Sequence, residues 1–469
     1  MTAALEAGSD LRPPKAGEAA NAARRLSGAR GAPSARPALE GGMGWLGIIR
    51  LGLVQTALGA VVVLCTAALN RVMVVEHALP ATLPGALVAL HYAVQMLRPR
   101  LGHGSDQGGR RTPWIIGGMA VLALSGVVAA VATAWMETAP VAGILLAVAA
   151  FLGIGLGVGA AGTSLLVLLA ARVAPERKPA AASIVWIMMI AGFVVTTATA
   201  GRLLDPYSAE RLIGVTASVC VIAFLLACLA VAGLEGAAPA RADRGPKIAF
   251  GTALREVWAE PVARHFTLFV FVSMLAYSAQ DLILEPFAGA VFGMSLGEST
   301  RLSSVQHGGV LAGMIMIAIV GRFARGGLRR WIVGGCGAAA LALAALSFAR
   351  PGFPLREAYV ALGLANGVFA AAAIATMMQL VGQGSGGREG VRMGLFGAAQ
   401  AIAFGLGGFL GTVILDLGRL LTGSAAGGYA VVFLADAALF VVAAWLALGI
   451  GRSVTNRRLS PALQAGGTA

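Results

Sequence analysis

The chain has 469 residues, of which 58% are hydrophobic and 12% charged, against about a quarter charged in an ordinary soluble domain; this excludes a water-soluble globular fold. The formal net charge of +14 does not point to nucleic acid, because Lys and Arg recur between apolar runs instead of gathering on one basic, aromatic-rich surface. The 65 glycines suit membrane helices, where small residues let backbones approach closely.

Residues 1–42 are rich in Ala, Gly, Pro and Arg and lack the apolar core of a signal peptide. They are expected to form a disordered cytoplasmic tail. Apolar runs long enough to cross a bilayer follow near 47–69, 82–98, 113–135, 141–171, 180–203 and 211–234. A polar stretch at 235–260, broken by Gly245-Pro246, separates them from runs near 262–284, 301–322, 331–349, 356–382, 391–415 and 428–450. The expected organisation is an N-terminal six-helix bundle over 43–234, a cytoplasmic linker at 235–260, a C-terminal six-helix bundle over 261–451 and a cytoplasmic tail at 452–469.

Most of the 35 Lys and Arg residues fall in the two tails and the even-numbered connections. Cytoplasmic segments retain excess positive charge, so both termini are expected on the cytoplasmic side. Asp205, Glu285 and Asp416 fall on or near the opposite side. Cys65, Cys220, Cys228 and Cys336 lie inside apolar runs without metal-ligand spacing and read as packing thiols.

The halves carry traces of one another. Gly102-His-Gly-Ser-Asp106-Gln-Gly-Gly109-Arg110-Arg111 follows the second run, and Gly321-Arg-Phe-Ala-Arg325-Gly-Gly-Leu-Arg329-Arg330 follows the eighth. Pro175-Glu-Arg177-Lys178 likewise corresponds to Gly387-Arg388-Glu389. This is the internal repetition of many transporter folds. The fold class expected is an all-α membrane protein of 12 transmembrane helices in two pseudo-symmetric six-helix halves.

The segment from Gly102 to Arg111 matches the loop signature of the major facilitator superfamily, between the second and third spans. Its glycines permit a tight turn, and Asp106 is placed to accept from helix N-termini or pair with an arginine as a cytoplasmic latch, with a basic loop that merely obeys the positive-inside bias as the plainer reading. Arg325 stands at the acid's place in the second copy, which argues against a symmetric gate. Gly157-Val-Gly159-Ala-Ala-Gly162 has the spacing of a dinucleotide fingerprint, but it lies in mid-span without the strand that motif requires, and reads as helix packing.

Polar groups inside spans are costly and therefore candidates for function. Asn70, Arg71 and Glu76 lie at the outer end of the first span, and Gln280, Asp281 and Glu285 at that of the seventh. They are expected to form an outer gate or line a cavity, with interfacial snorkelling as the plainer reading. His91, with Gln95 one turn on, and His307 sit at comparable depths of the second and eighth spans, where both can face one cavity or serve as packing histidines. Asn366, Gln379, Gln400 and Asp436 are candidates for further cavity contacts, with hydrogen bonding between helices as their main expected role. The sparse charged interior favours an apolar cargo.

Leu69-Asn-Arg-Val-Met-Val-Val-Glu76, Leu90-His-Tyr-Ala-Val-Gln95, Arg98-Pro-Arg100, Arg111-Thr-Pro-Trp-Ile-Ile-Gly117 and Tyr277-Ser-Ala-Gln-Asp-Leu-Ile-Leu-Glu-Pro-Phe-Ala-Gly289 resemble the PucC/LhaA group, the bacteriochlorophyll delivery family of the major facilitator superfamily. The resemblance covers about residues 43 to 450. It implies an assembly factor for light-harvesting antenna complexes in a bacterial inner, intracytoplasmic photosynthetic membrane. Its partners would be antenna polypeptides, bacteriochlorophyll and membrane lipid, without nucleic acid. Bacteriochlorophyll or a precursor would be cargo rather than a permanent cofactor, with His91 or His307 as axial ligand to the pigment's Mg. The alternatives are a major facilitator transporter of another small, largely apolar solute and a membrane scaffold. An enzyme is not expected, because no nucleophile, base and orienting group occur together and no metal cluster has proper spacing.

Overall fold

In a bilayer every backbone N–H and C=O must be satisfied within the segment, so long apolar runs become helices. The computed structural model describes residues 43–96, 110–174, 177–235, 255, 258–320, 327–382 and 389–450. The expected tails, most of the linker, and Gly102, Asp106, Gly109 and Arg325 lie outside these residues. The first half contains α1 (Trp45–Glu76), α2 (Thr82–Gln95), α3 (Thr112–Trp135), α4 (Pro140–Arg172), α5 (Lys178–Leu203) and α6 (Ala209–Val231). The second contains α7 (Pro261–Phe292), α8 (Leu296–Val320), α9 (Gly327–Ser347), α10 (Leu355–Gly382), α11 (Glu389–Thr422) and α12 (Ala425–Ile450).

Eleven of these helices are long and apolar enough to cross a membrane. The remaining one, α2, is followed in the chain by residues 97–109, which are not among the described residues. The protein is a multi-pass membrane protein.

Helix packing repeats between the halves. In the first, α1 packs on α5 and α6, α3 on α4 and α6, and α2 on α4. In the second, α7 packs on α11 and α12, α9 on α10 and α12, and α8 on α10. The halves meet along two equivalent seams, α5 against α8 and α2 against α11. Close approaches depend on glycine: a Cβ at Gly157 would lie 2.6 Å from the Leu122 nitrogen, and one at Gly363 2.1 Å from the Gln306 oxygen. Gly157 thus packs α4 against α3, as expected for its span and unlike a phosphate-binding turn.

The end of the bundle at which α1 begins is called here the near end, and the other the far end. Two stretches of α1, Leu64–Ala68 and Val72–Glu76, are π-helical. Such wider turns rotate the residues beyond them and are frequent at functional sites. They bracket Asn70 and Arg71.

Candidate functional site: the cavity and its seams

The far part of α1 is tied to α7 through polar groups. Asn70 Nδ2 donates to the Leu282 carbonyl at 2.6 Å, and Arg71 Nη2 donates to the Met294 carbonyl at 2.6 Å. The other Arg71 amine pairs with Glu76 on its own helix. Gly289 leaves room for the guanidinium, since a Cβ there would stand 3.0 Å from Arg71 Nη2. The charge therefore rests at the C-terminal end of α7, where helix carbonyls favour a cation. Arg71 meets this backbone, while Glu285 is held by Thr300 Oγ1 at 2.6 Å and Ser303 Oγ at 2.9 Å.

The helix α7 runs to Phe292, so Gln280 and Asp281 lie well inside it rather than at the outer end that the shorter apolar run had indicated. Asp281 faces α8, with Oδ1 3.9 Å from His307 Nε2. His307 Nδ1 lies 2.8 Å from the Ser303 carbonyl. An imidazole N–H must donate there, which leaves Nε2 of the neutral ring as a lone pair. That nitrogen has no hydrogen-bond partner. It borders a small cavity together with Val63 and Ala67 of α1, Asp281, Gln306 and Tyr359. The cavity volume is about 10 Å³, room for about one water.

His91 stands elsewhere, on α2 within the first half, 2.8 Å from Gln95 Nε2 on the same helix face. His307 borders this cavity and His91 does not. Half-buried aromatics lie beside both. Tyr92 of α2 meets Phe404 of α11 at 5.4 Å between ring centroids, Phe404 meets Tyr277 of α7 at 5.9 Å, and Phe193 of α5 meets the His307 ring at 5.2 Å.

Both seams are closed at the far end by a carboxylate placed on a helix N-terminus. Asp205, just beyond α5, accepts from Gly297 N at 2.9 Å and Ser295 Oγ at 2.8 Å at the start of α8. Asp416 of α11 accepts from Ala81 N at 3.1 Å and Thr82 N at 2.7 Å at the start of α2. Each acid also meets an arginine, Arg301 at 3.7 Å and Arg419 at 3.6 Å. Unpaired N–H groups and the helix dipole make these termini natural carboxylate acceptors. In the sequence these acids fall together on one side of the spans without an evident role. The signal was available: Asp205 lies as far beyond Arg177 as Asp416 lies beyond Arg388, the two arginines already matched between halves.

At the near end, Glu235 caps α3, accepting from Thr112 N at 2.8 Å, Thr112 Oγ1 at 2.7 Å and Arg111 N. Burial pushes its carboxyl up, but these three hydrogen bonds and the nearby Arg110 charge outweigh it and hold the group below the usual carboxylate range. Arg110 and Arg111, the described part of the expected gate motif, thus meet the end of α6. Arg392 pairs with Glu260 at 2.6 Å, joining the starts of α11 and α7. No group of three or more His, Cys, Asp or Glu residues able to hold a metal occurs among the described residues.

Residues 68–454 match the family model described as PUCC protein. The chain is 52% identical over 413 residues to a Rhodobacter capsulatus protein named "Bacteriochlorophyll synthase 44.5 kDa chain", covering 87% of this chain and 96% of that one. It is 28% identical to "Protein PucC" of Cereibacter sphaeroides, over 76% of this chain and 81% of the relative. Among solved structures, a bacterial homologue of the lysosomal transporter Spinster, inward-facing and unoccupied, superposes with a TM-score of 0.65 at 16% identity, over 87% of this chain and 96% of that one. A D-xylose-proton symporter also gives 0.65 at 16% identity, over 85% and 96%. These likenesses establish the major facilitator fold.

Proposed function

The chain belongs to the PUCC protein family, and from that premise we propose that it is an assembly factor for bacterial light-harvesting antennae that binds bacteriochlorophyll or a precursor and delivers it to antenna polypeptides. The observation that carries this reading is the half-identical relative named for bacteriochlorophyll synthase, which matches almost end to end. The protein is read as non-enzymatic, since delivery asks for binding and release rather than bond chemistry. Its membrane is the bacterial inner, intracytoplasmic photosynthetic membrane, with the near end and both termini cytoplasmic.

The geometry supports a flat, apolar cargo. His307 offers an unprotonated Nε2 of the kind that ligates a macrocycle's metal, and Tyr92, Tyr277, Phe193 and Phe404 supply aromatic faces along the seams. His91 is the alternative ligand. A cavity of about 10 Å³ does not hold a macrocycle, so pigment enters only where the halves part, and the far-end latches favour entry from the near end or from the lipid.

The major facilitator fold also favours a second reading, transport of another small, largely apolar solute. Gentle purification from photosynthetically grown cells distinguishes them by absorption spectrum and co-purifying polypeptides. Stoichiometric pigment with antenna subunits is expected. A colourless protein without antenna partners, from pigment-rich cells, overturns delivery in favour of solute transport.

A further inference from the structure

Three polar side chains in the second half are buried without partners. Gln280 is 1% exposed, Asn366 0% and Asp436 2%, and Gln280 Oε1 and Nε2, Asn366 Oδ1 and Nδ2, and Asp436 Oδ2 have no hydrogen bond. The interhelical hydrogen bonds expected for Asn366 and Asp436 from sequence do not form between protein groups.

Packing around each residue puts the three at one level. On α7, Gln280 lies between Tyr277, whose ring is 6.4 Å from Phe369 of α10, and Phe287, whose ring is 4.9 Å from Phe433 of α12. On α10, Asn366 lies between Phe369 and Tyr359, whose hydroxyl donates to the Leu284 carbonyl of α7 at 2.6 Å. On α12, Asp436 lies between Phe433 and Phe440, whose ring is 5.5 Å from Phe369. Gln280 and Asn366 are three residues from the layer of Tyr277, Phe369 and Phe440, and Asp436 is four. At 1.5 Å per residue, all stand about 4.5 to 6 Å above it. Aromatic contacts flank the level on both sides, Tyr277, Phe369 and Phe440 on one and Phe287 and Phe433 on the other.

Five buried polar atoms without hydrogen-bond partners each carry a desolvation cost unless something bridges them. The donor set is one carboxylate and two amide carbonyls, all hard oxygen donors. It carries one potential negative charge, with no basic side chain paired to Asp436 among the described residues. A proton on Asp436 would neutralise that charge but leave both amides unmatched. Ca2+ takes about six to eight oxygen ligands and Mg2+ keeps several waters, which suits three side-chain oxygens in an apolar interior poorly.

We propose that Gln280, Asn366 and Asp436 form a binding site for a monovalent cation of the sodium class, set inside the second half behind the cavity and joining α7, α10 and α12. The amide nitrogens then turn to water or to neighbouring carbonyls. Since α7 also carries Asp281, the cation fixes the helix on which that acid faces His307. The site stands whether or not pigment is the cargo.

The test is the thermal unfolding midpoint of the purified full-length protein at fixed pH, titrated with NaCl against KCl and choline chloride at equal ionic strength. A saturable, sodium-selective rise is expected, because a ligand bound only to the folded state stabilises by mass action. Asp436→Asn should abolish the rise, and Asn366→Ala and Gln280→Ala should move its half-saturation to higher sodium. Equal midpoints in the three salts overturn the site. An unaltered sodium response in Asp436→Asn also overturns it. If that variant does not fold, the two amide variants decide: a weakened response supports the site and an unchanged one overturns it.

Discussion

The side-chain amide of Asn70 donates 2.6 Å to the backbone carbonyl of Leu282, the carbonyl that Pro286, four residues on in α7, cannot bond. Proline lacks the N–H that would close this helical turn, so a side chain from the other half supplies it. Replacing Asn70 by Leu should leave a buried acceptor unmatched and destabilise the protein by about 1–3 kcal/mol. Adding Pro286→Ala restores a local donor. Unfolding free energies of the two single variants and the double variant test this, and a purely additive double variant contradicts it.

The latches at Asp205 and Asp416 should hold the far end shut. Each is a helix cap, worth about 1 kcal/mol and up to about 2. The double variant Asp205→Ala, Asp416→Ala should therefore raise the open population on the order of 10-fold or more. The measurement is labelling of a cysteine introduced at Ala81, 2% exposed, by a membrane-impermeant maleimide. Unchanged labelling would show that other contacts close the seams.

Glu235 gives a pH signature. Its carboxyl is held below its ordinary value when folded, so its stabilisation is complete above the unfolded carboxylate range and is lost as pH falls through the lowered folded value. Glu235→Gln should cost about 1 kcal/mol at neutral pH, and the difference from wild type should shrink to nothing in acid. Unfolding midpoints of the two proteins across pH provide the comparison.

Two glycines separate close packing from mere glycine content. Gly363→Ala would place a Cβ 2.1 Å from the Gln306 carbonyl, forcing α10 away from α8 at a cost of about 1–3 kcal/mol and disturbing the cavity wall beside His307. Gly334 has nothing within 4 Å of the corresponding position. Gly334→Ala should be neutral or stabilise slightly by helix propensity. Melting temperature and pigment retention of both variants test the pair.

Pigment binding tests the histidines separately. His307→Ala should abolish or strongly reduce bound pigment while His91→Ala retains it, because only His307 borders the cavity in this conformation. Absorption spectra of variants purified in parallel report the outcome, and equal pigment after both replacements removes axial histidine ligation.

The sequence by itself determined the apolar spans, their number and the division into two related halves, because crossing a bilayer is decided by the length and polarity of each segment alone. It also placed Asp281 and His307 among the polar residues that an apolar interior makes conspicuous. Only tertiary structure decided their partners. Helix rotation, reset in α1 by the π-helical stretch Leu64–Ala68 that precedes them, aims Asn70 and Arg71 at α7. Packing brings Gln280, Asn366 and Asp436 to one level and leaves His91 away from the cavity that His307 borders. Segment hydrophobicity is a local property, whereas contact across a seam depends on the azimuth and close approach of helices far apart in the chain.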